Sequence, residues 1–498
     1  MQVAPRLVIV VVAFLVVAGP ARADLIQLNR AHLPEGAQLA RHAGGSEIAR
    51  ELRLWSVPSY AVSDLRRAGV VQLVRPDRLL ETEAVQTQAS DPLVPMEWWR
   101  SAIGADRVDP PGPGKPVTVV DSGLDLTHPE FASRPNTTAL NAQTTKEQDE
   151  DHGTEVCSLV GAPNNGVGLV GVYPDSVLRV WDASPFGFLN ESEAIKGIVE
   201  AARGGPGVIN LSFGGEDDDP LLEEAIEHAF RTGSLVVAAA GNDGLDGSPP
   251  DFPAVYPHVL TVGATNASGH VAGFSTLSPT VDLAAPGAGI PVAEPLAQDA
   301  SGYILNASGT SFASPLVAGA AAWVWTVRPN LDNTQLFELM RRSATDIGEP
   351  GFDVASGWGL LNIPAALSLR PPLRDPQEPN ERPNEIEPHA LFGSGTPPLT
   401  YPGHSAGSIV AHVDRSEDPV DLYRVWAPAG RALHARVSGS VTLRLLARST
   451  KTRALAVARR GLATYRNGTT RGVYVYVEVR PFGAREASYT VRVTVARR

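Results

Sequence analysis

Four polar residues stand where apolar stretches of the sequence begin or end. Ser311 opens the run "SFASPLVAGAAAWVWTV", His152 precedes "GTEVCSLVGA", Asp121 ends "PVTVVD" and Asn242 ends "VVAAAGN". A hydroxyl, an imidazole and a carboxylate can together perform nucleophilic catalysis, in which the imidazole takes the hydroxyl proton and the carboxylate orients the imidazole. A side-chain amide such as that of Asn242 can donate a hydrogen bond to an oxyanion.

Each of these residues also has an ordinary structural explanation. Ser311 can cap a helix, and Asp121 and Asn242 can be turn residues. The start of a helix offers unpaired N–H groups and the positive end of the helix dipole to a developing oxyanion. We expect Pro315 in the first turn of this helix, where a missing N–H costs little. The combination, rather than any single residue, indicates chemistry.

The segments between these residues alternate between apolar strands and amphipathic helices. "NESEAIKGIVEAARGG" predicts a helix capped by Asn190 with Glu193 three residues on. "DPLLEEAIEHAFRTG" predicts a helix that begins at Asp219 with Pro220 in its first position. This alternation predicts an α/β fold with a doubly wound, mostly parallel sheet, in which sites gather at the carboxyl ends of the strands.

Length and composition place the chain among globular proteins. It has 498 residues, of which 43% are hydrophobic, with 47 Gly and 42 Pro, so we expect more than one domain. The single cysteine, Cys157, excludes an internal disulfide, and its apolar surroundings indicate a buried structural residue.

The N-terminus predicts export. Arg6, an apolar run and Ala21-Arg22-Ala23 are typical of a secretory signal over residues 1–23, and the apolar run is shorter than the ~20 residues of a membrane anchor. Residues 24–90 form a small amphipathic segment with a helix expected at 63–68 and a strand in "VVQLVRP". We therefore expect a secreted protein without a membrane span once the signal is removed.

The C-terminal part has a different character. Residues 370–403 are Pro-rich and polar, which predicts a linker, and residues 404–498 alternate with period two, which predicts a small all-β sandwich domain. The tail is basic, with 17 Lys+Arg against 6 Asp+Glu, although the whole chain carries a net charge of -12. The basic residues form no nucleic-acid recognition motif, so we expect no nucleic-acid partner.

The order Asp, His, Asn, Ser resembles that of the subtilases. "VVDSGLDLTHPEF", "HGTEVCSLVGAPNNGVGLVGVYP", "INLSFGG", "VVAAAGN" and "GTSFASPLVAGAAA" are similar to the motifs of that family over about residues 91–369. The resemblance implies a subtilisin-like serine endopeptidase domain with Ser311 as nucleophile, His152 as base and Asp121 orienting it. Asn242 and the N–H of Ser311 would stabilise the oxyanion, with no catalytic cofactor.

The resemblance also implies a substrate cleft and an ion site. Residues 212–214 would pair with extended protein or peptide substrates, and residues 239–241 would line a specificity pocket; the six residues are Ser212, Phe213, Gly214, Ala239, Ala240 and Gly241. Small residues there favour a large apolar side chain and broad specificity. A structural calcium is expected at Glu130 and Asn165, since oxygen ligands suit calcium. Glu155 stands where many members have a second histidine.

Two flanking regions resemble known companions of this family. Residues 24–90 match the position of the subtilase propeptide, which blocks the cleft until it is removed, and the tail resembles the bacterial pre-peptidase C-terminal domain. We expect the protein's partners to be protein substrates and its own propeptide, and we expect a monomer. Two alternatives stay open: a non-catalytic binding protein on a subtilase scaffold, and an acyl-transferring, macrocycle-forming relative.

Overall fold

The computed structural model describes residues 23–77, 79–82, 94–144, 151–391, 395–447, 449–451 and 453–496. The predicted signal peptide lies outside these residues except for Ala23. The chain divides into two compact units, Met1–Asp77 and Arg78–Arg498. Within the described residues, no helix has the length and hydropathy needed to cross a bilayer.

The first unit is a four-stranded antiparallel sheet with two helices. Its strands follow the order β2-β3-β1-β4. The elements are β1 (Ala23–Leu28), α1 (Leu33–His42), β2 (Ser46–Ala49), β3 (Leu54–Pro58), α2 (Val62–Arg67) and β4 (Val71–Pro76). Ala40 of α1 and Leu65 of α2 pack with Ile26 and Trp55 of the sheet into a small core. The helix and strand predicted for this region correspond to α2 and β4.

The second unit contains a seven-stranded parallel sheet in the order β14-β13-β12-β10-β6-β8-β7. The first strands of this unit are β5 (Leu79–Thr82), β6 (Pro116–Asp121), β7 (Thr137–Ala139), β8 (Val177–Asp182), β9 (Leu189–Asn190), β10 (Val208–Leu211), β11 (Phe213–Gly214), β12 (Leu235–Ala239), β13 (Val259–Thr265), β14 (Val281–Pro286), β15 (Ala288–Ala293) and β16 (Tyr303–Ser308). Strands β10, β12, β13 and β14 are buried along their whole length. This confirms the predicted doubly wound α/β fold.

The second unit also contains helices, most of which pack against this sheet. They are α3 (Trp99–Ala102), α4 (His152–Gly161), α5 (Glu191–Arg203), α6 (Pro220–Arg231), α7 (Thr310–Val327), α8 (Asn333–Arg342), α9 (Ile363–Ser368) and α10 (Pro383–Ile386). Every residue of α4 is buried, Cys157 included, and α7 is buried from Thr310 to Trp325. Two apolar helices thus occupy the core.

Local predictions for two helix starts had different outcomes. Asp219 caps α6 as predicted, because its side chain accepts a hydrogen bond from Leu221 N at 2.6 Å. The side chain of Asn190 does not cap α5; its amide donates to the carbonyl of Phe188 at 2.8 Å. Asn190 therefore occupies the predicted N-cap position of α5, but the expected capping hydrogen bond is wrong because its side chain bonds to Phe188 instead.

The C-terminal part is an antiparallel β-sandwich, as predicted. Its strands are β17 (Ala406–Asp414), β18 (Asp421–Ala427), β19 (Ala432–Ser438), β20 (Val441–Leu446), β21 (Ala456–Val457), β22 (Leu462–Arg466), β23 (Val473–Pro481) and β24 (Glu486–Val495). One sheet has the order β17-β24-β19-β22 and the other β18-β23-β20-β21. Their inner faces share one apolar core.

A buried arginine joins the sandwich to the parallel sheet. Arg341 of α8 is 1% exposed; its Nε lies 3.0 Å from Asp282 Oδ1 in β14, and its Nη2 lies 3.0 Å from Asp414 Oδ2 at the end of β17. Its Nη1 lies 2.6 Å from Glu338 Oε1. One guanidinium therefore balances three carboxylates in the interior.

We predict that Arg341→Ala lowers the free energy of unfolding by about 3–5 kcal/mol, because it leaves buried carboxylates without their cation. The neighbouring Arg342→Ala is the control: that side chain is 41% exposed, and its loss should cost only about 0–1 kcal/mol. Chemical denaturation of the full-length variants measures both. Equal losses for the two arginines would contradict the central role assigned to Arg341.

Candidate active site

Asp121 and His152 meet at the carboxyl end of β6. Asp121 is the last residue of β6 and His152 is the first of α4, and both are at most 1% exposed. His152 Nδ1 lies 2.8 Å from Asp121 Oδ1, which also accepts a hydrogen bond from Ser122 N at 2.7 Å. The carboxylate therefore fixes the imidazole with Nδ1 towards it and Nε2 directed elsewhere.

The start of α4 is pressed against the loop that follows β6. Gly153 N donates to Ser122 Oγ at 2.9 Å. A β-carbon at position 153 would collide with the carbonyl oxygen of Gly123. Glycine at this position is thus what allows the helix to bring His152 within hydrogen-bonding distance of Asp121.

Charge around His152 favours its protonated form. Burial opposes the positive charge, but attraction by Asp121, the hydrogen bond to Asp121 and the more distant carboxylates of Asp151 and Glu294 together raise the pKa of His152 above its ordinary value. For the carboxyl group of Glu294, burial acts in the opposite direction and raises the pKa to about 7. The charge of Asp151 adds to this rise, and a hydrogen bond with Glu155 opposes it. Glu155 and Glu294 are a buried carboxyl pair beside the imidazole that the sequence did not reveal.

Ser311 is the second residue of α7, not its cap; Gly309 takes the capping position. Its hydroxyl donates to the backbone carbonyl of Ser212 at 3.1 Å. His152 Nε2 has no hydrogen-bond partner among the described residues. Ser311 and His152 are therefore not hydrogen-bonded to each other in this structure, as is common before substrate binds.

Pro315 lies in the second turn of α7, so its expected place in the first turn is wrong. A proline there cannot donate to the carbonyl four residues earlier, which is that of Ser311. The hydroxyl of Ser212 supplies the missing hydrogen bond at 3.0 Å. Ser212 Oγ is itself held by Asn210 Nδ2 at 2.9 Å and Ser314 Oγ at 2.8 Å. The side-chain role of Ser212 was not predicted.

Asn242 is oriented by the residue before Ser311. Its Oδ1 accepts hydrogen bonds from Thr310 N at 2.9 Å and Thr310 Oγ1 at 3.1 Å. Gly241 N donates to the same Thr310 hydroxyl at 3.2 Å. These contacts fix Oδ1 on Thr310 and so distinguish the two ends of the amide.

The strand edge predicted to bind substrate, residues 212–214, is paired with another strand of the same chain. Strand β5 pairs antiparallel with β11, where Thr82 faces Phe213 and Glu81 faces Gly214. On its other side, β5 pairs antiparallel with β9. The three strands form a small sheet in the order β11-β5-β9. Residues 79–82 thus lie along the edge that the sequence assigned to extended peptides.

The wall of the predicted specificity pocket contains a carboxylate. Ala239 and Ala240 are at most 2% exposed, as expected for a tightly packed wall. Asp251 is 4% exposed, and its two oxygens lie so close to Gly214 and Gly241 that a β-carbon on either glycine would collide with them. The position of Asp251 in "SPPDFP" carries no motif, so only the fold reveals this neighbour of the pocket.

The two predicted calcium ligands, Glu130 and Asn165, share no hydrogen-bond partner among the described residues. Glu130 is buried, and its Oε1 accepts hydrogen bonds from Leu169 N at 2.7 Å and Tyr303 OH at 3.1 Å. Burial raises the pKa of Glu130 to about 7. The exposed Asn165 uses its Oδ1 for Val167 N at 2.9 Å. The calcium site at Glu130 and Asn165 stays a prediction.

We predict that Asp121→Asn lowers the pKa of His152 by about one to three units, because burial is then opposed only by distant carboxylates. The acidic limb of any activity that requires neutral imidazole would move to lower pH by the same amount. Asp151→Asn, which removes only a distant charge, should have a smaller effect. NMR titration of labelled histidine measures both, and equal shifts would contradict the role assigned to Asp121.

Comparison with known proteins agrees with this geometry. The sequence model of the subtilase family matches residues 112–359. The chain is 36% identical over 256 residues to a subtilisin of Bacillus pumilus, covering 50% of this chain and 90% of that protein. It is also 36% identical over 256 residues to subtilisin NAT of Bacillus subtilis subsp. natto, covering 65% of that protein.

Solved structures share the fold. Fervidolysin from Fervidobacterium pennivorans, a keratinolytic enzyme related to subtilisin, superposes with a TM-score of 0.59 at 18% identity, covering 93% of this chain and 91% of that one. The epidermin leader peptide processing serine protease of Staphylococcus aureus gives 0.58 at 20% identity, covering 70% of this chain and 98% of that one. By its sequence relatives and its fold, the chain belongs to the subtilase family of serine endopeptidases.

Proposed function

We propose that this endopeptidase hydrolyses peptide bonds through Ser311, His152 and Asp121. The observation that carries the proposal is the buried His152–Asp121 contact of 2.8 Å, with the other imidazole nitrogen left without a hydrogen-bond partner among the described residues. That nitrogen is the one able to take a proton from the Ser311 hydroxyl.

The proposed chemistry has two balanced halves. Ser311 Oγ bonds to the scissile carbonyl carbon while its proton passes to His152 Nε2, and the carbonyl oxygen becomes an oxyanion that accepts from Asn242 Nδ2 and Ser311 N. The C–N bond then breaks and His152 returns the proton to the leaving amine. Water repeats the sequence on the acyl ester, which frees Ser311. Every participant is a side chain, a backbone N–H or water.

We further propose that the protein is a secreted precursor. The signal-like residues 1–23 support export, and a Bacillus subtilis relative, 31% identical over 278 residues, is named a minor extracellular protease. The pairing of residues 79–82 with β11 and β9 supports inhibition by residues 24–90, because a strand held on both sides must leave before a substrate can pair there.

We predict that Ser311→Ala abolishes both loss of the N-terminal segment and cleavage of a denatured protein, because the nucleophile is gone. Mass spectrometry of the two full-length proteins measures both events. Ser268→Ala, which changes an exposed serine of the same unit, is the control and should retain cleavage. If folded Ser311→Ala matures and cleaves like the wild type, the assignment of the nucleophile is wrong.

Labelling of the serine and analysis of the products separate the proposed endopeptidase from the two alternatives. A binding protein on this scaffold would not react with a serine-directed fluorophosphonate, whereas the proposed endopeptidase reacts through Ser311 only. An acyl-transferring enzyme would react too, but its products would be ligated or cyclic peptides rather than hydrolysed ones.

The substrate class follows from Asp251. Asp251 is buried beside Gly214 and Gly241, in the wall against which the side chain that precedes the scissile bond would lie. An arginine or lysine there would gain a charge-assisted hydrogen bond. This proposal competes with the apolar preference expected from the small residues 239–241.

We predict that the mature enzyme prefers Arg or Lys before the scissile bond and that Asp251→Asn lowers kcat/KM on such peptides about 10- to 100-fold, the loss of one charged contact. The exposed Asp246→Asn is the matched control. Peptide-library profiling measures the preference. An apolar preference that Asp251→Asn leaves unchanged would overturn this assignment without affecting the nucleophile.

A further inference from the structure

A second group of carboxylates lies between the linker and the β-sandwich. Glu378 belongs to the linker, Asp421 begins β18, and Asp418 precedes it. One carboxylate oxygen from each of the three lies within 4.8 Å of the others. Glu378 also forms a neighbouring group with Glu381 and with His258 of the catalytic domain.

This acidic group is short of positive charge. In the part of the chain that the structure describes, the only ion pair of Glu378 is with His258, at 3.8 Å, and Asp418 and Asp421 have none. His258 Nε2 lies closer to Glu381 Oε1, at 2.8 Å. The nearby arginines face other carboxylates: Arg341 pairs with Asp282, Glu338 and Asp414, while Arg382 pairs with Glu223, Glu227 and Glu385.

Several oxygens of the group are buried without hydrogen bonds. Among the described residues, Glu378 Oε2, Asp418 Oδ1 and Asp421 Oδ1 have no hydrogen-bond partner. Glu417, 3% exposed, has none on either oxygen. Glu378, Glu417 and Asp418 line a cavity of about 40 Å³. Buried polar atoms without partners are rare and costly, so the cavity calls for a ligand.

Neighbouring side chains hold the carboxylates in place. Asn380, fully buried, donates to Glu378 through Nδ2 and accepts from Leu422 N at 2.6 Å through Oδ1. Tyr489 OH donates to Asp421 Oδ2 and lies 2.6 Å from Tyr423 OH. One oxygen of Glu378 and one of Asp421 are thus fixed by donors, and the opposite oxygens carry no hydrogen bond.

We propose that Glu378, Asp418 and Asp421 bind one divalent cation of the calcium type, which fastens the linker to the β-sandwich. The three ligands are carboxylate oxygens, which calcium prefers at high coordination number with water completing the shell. Glu378 and Asp418 also line the cavity of about 40 Å³, which has room for water beside an ion. Magnesium demands stricter octahedral geometry and keeps its water, so it should bind more weakly.

The test uses full-length protein carrying Ser311→Ala to prevent self-digestion, with calcium as the probe. We expect Asp418→Asn/Asp421→Asn to bind one calcium fewer by isothermal titration calorimetry. In EGTA the double variant should melt at or above the temperature of its parent, because it lacks the repulsion between the carboxylates. In calcium the order should reverse, since only the parent gains stability from the ion.

The control is Glu216→Gln/Asp246→Asn, which removes two exposed carboxylates and should keep the parent's calcium count and melting shift. The proposal is overturned if the Asp418/Asp421 variant binds as many calcium ions as its parent, or if it is less stable in EGTA and calcium alike. Preferential binding of zinc over calcium at this site would overturn the assigned class of cation.

A second measurement applies even if the double variant fails to fold. Terbium in place of calcium should emit when the aromatic residues are excited, since Tyr489 is hydrogen-bonded to Asp421. We expect Tyr489→Phe to reduce this emission and calcium to displace it. Emission that is absent, or unaffected by calcium, contradicts the site.

Discussion

Pro315 removes one hydrogen bond from the long, largely buried helix α7, and Ser212 replaces it. The replacement ties the connection between β10 and β11 to the second residue of α7 through two reciprocal contacts, Ser212 Oγ to Ser311 O and Ser311 Oγ to Ser212 O. The position of the proposed nucleophile is therefore set by the same residue that begins the substrate edge at Phe213 and Gly214. Displacement of either element would move the other.

Electrostatics at the site is a balance between burial and acidic neighbours. His152 is almost wholly removed from water, which alone would keep it neutral, yet the carboxylates around it favour its cation. A base that must gain a proton during the reaction benefits from this arrangement, since the imidazolium is stabilised before it forms. Glu155 takes part through its partner Glu294, so the departure from the usual second histidine changes the charge near the base rather than the base itself.

The sequence allowed the fold to be predicted and the principal site residues to be proposed, because both depend on local patterns. Apolar strands that alternate with helices require a parallel sheet, and its strand ends bring Asp121 and Asn242 to one edge. Contacts between distant segments leave no such pattern: the hydroxyl of Ser212 on Ser311, Asp251 against Gly214, and Glu294 near His152 could be recognised only in three dimensions. Pro315 was placed wrongly because its turn depends on where α7 begins, which propensities locate only to within a few residues. Asn190 was placed correctly at the start of α5, but its side chain bonds to the carbonyl of Phe188 rather than to the helix.

Arg341 also changes how the C-terminal sandwich should be regarded. Its guanidinium forms ion pairs with Asp282 of the parallel sheet and with Asp414 of β17, so the charge balance around the sheet includes a residue of the tail. Trimming the tail would withdraw that carboxylate and open the arginine's surroundings to water. The C-terminal sandwich is therefore part of the interior packing of the second unit, and a shortened form would need another partner for Arg341.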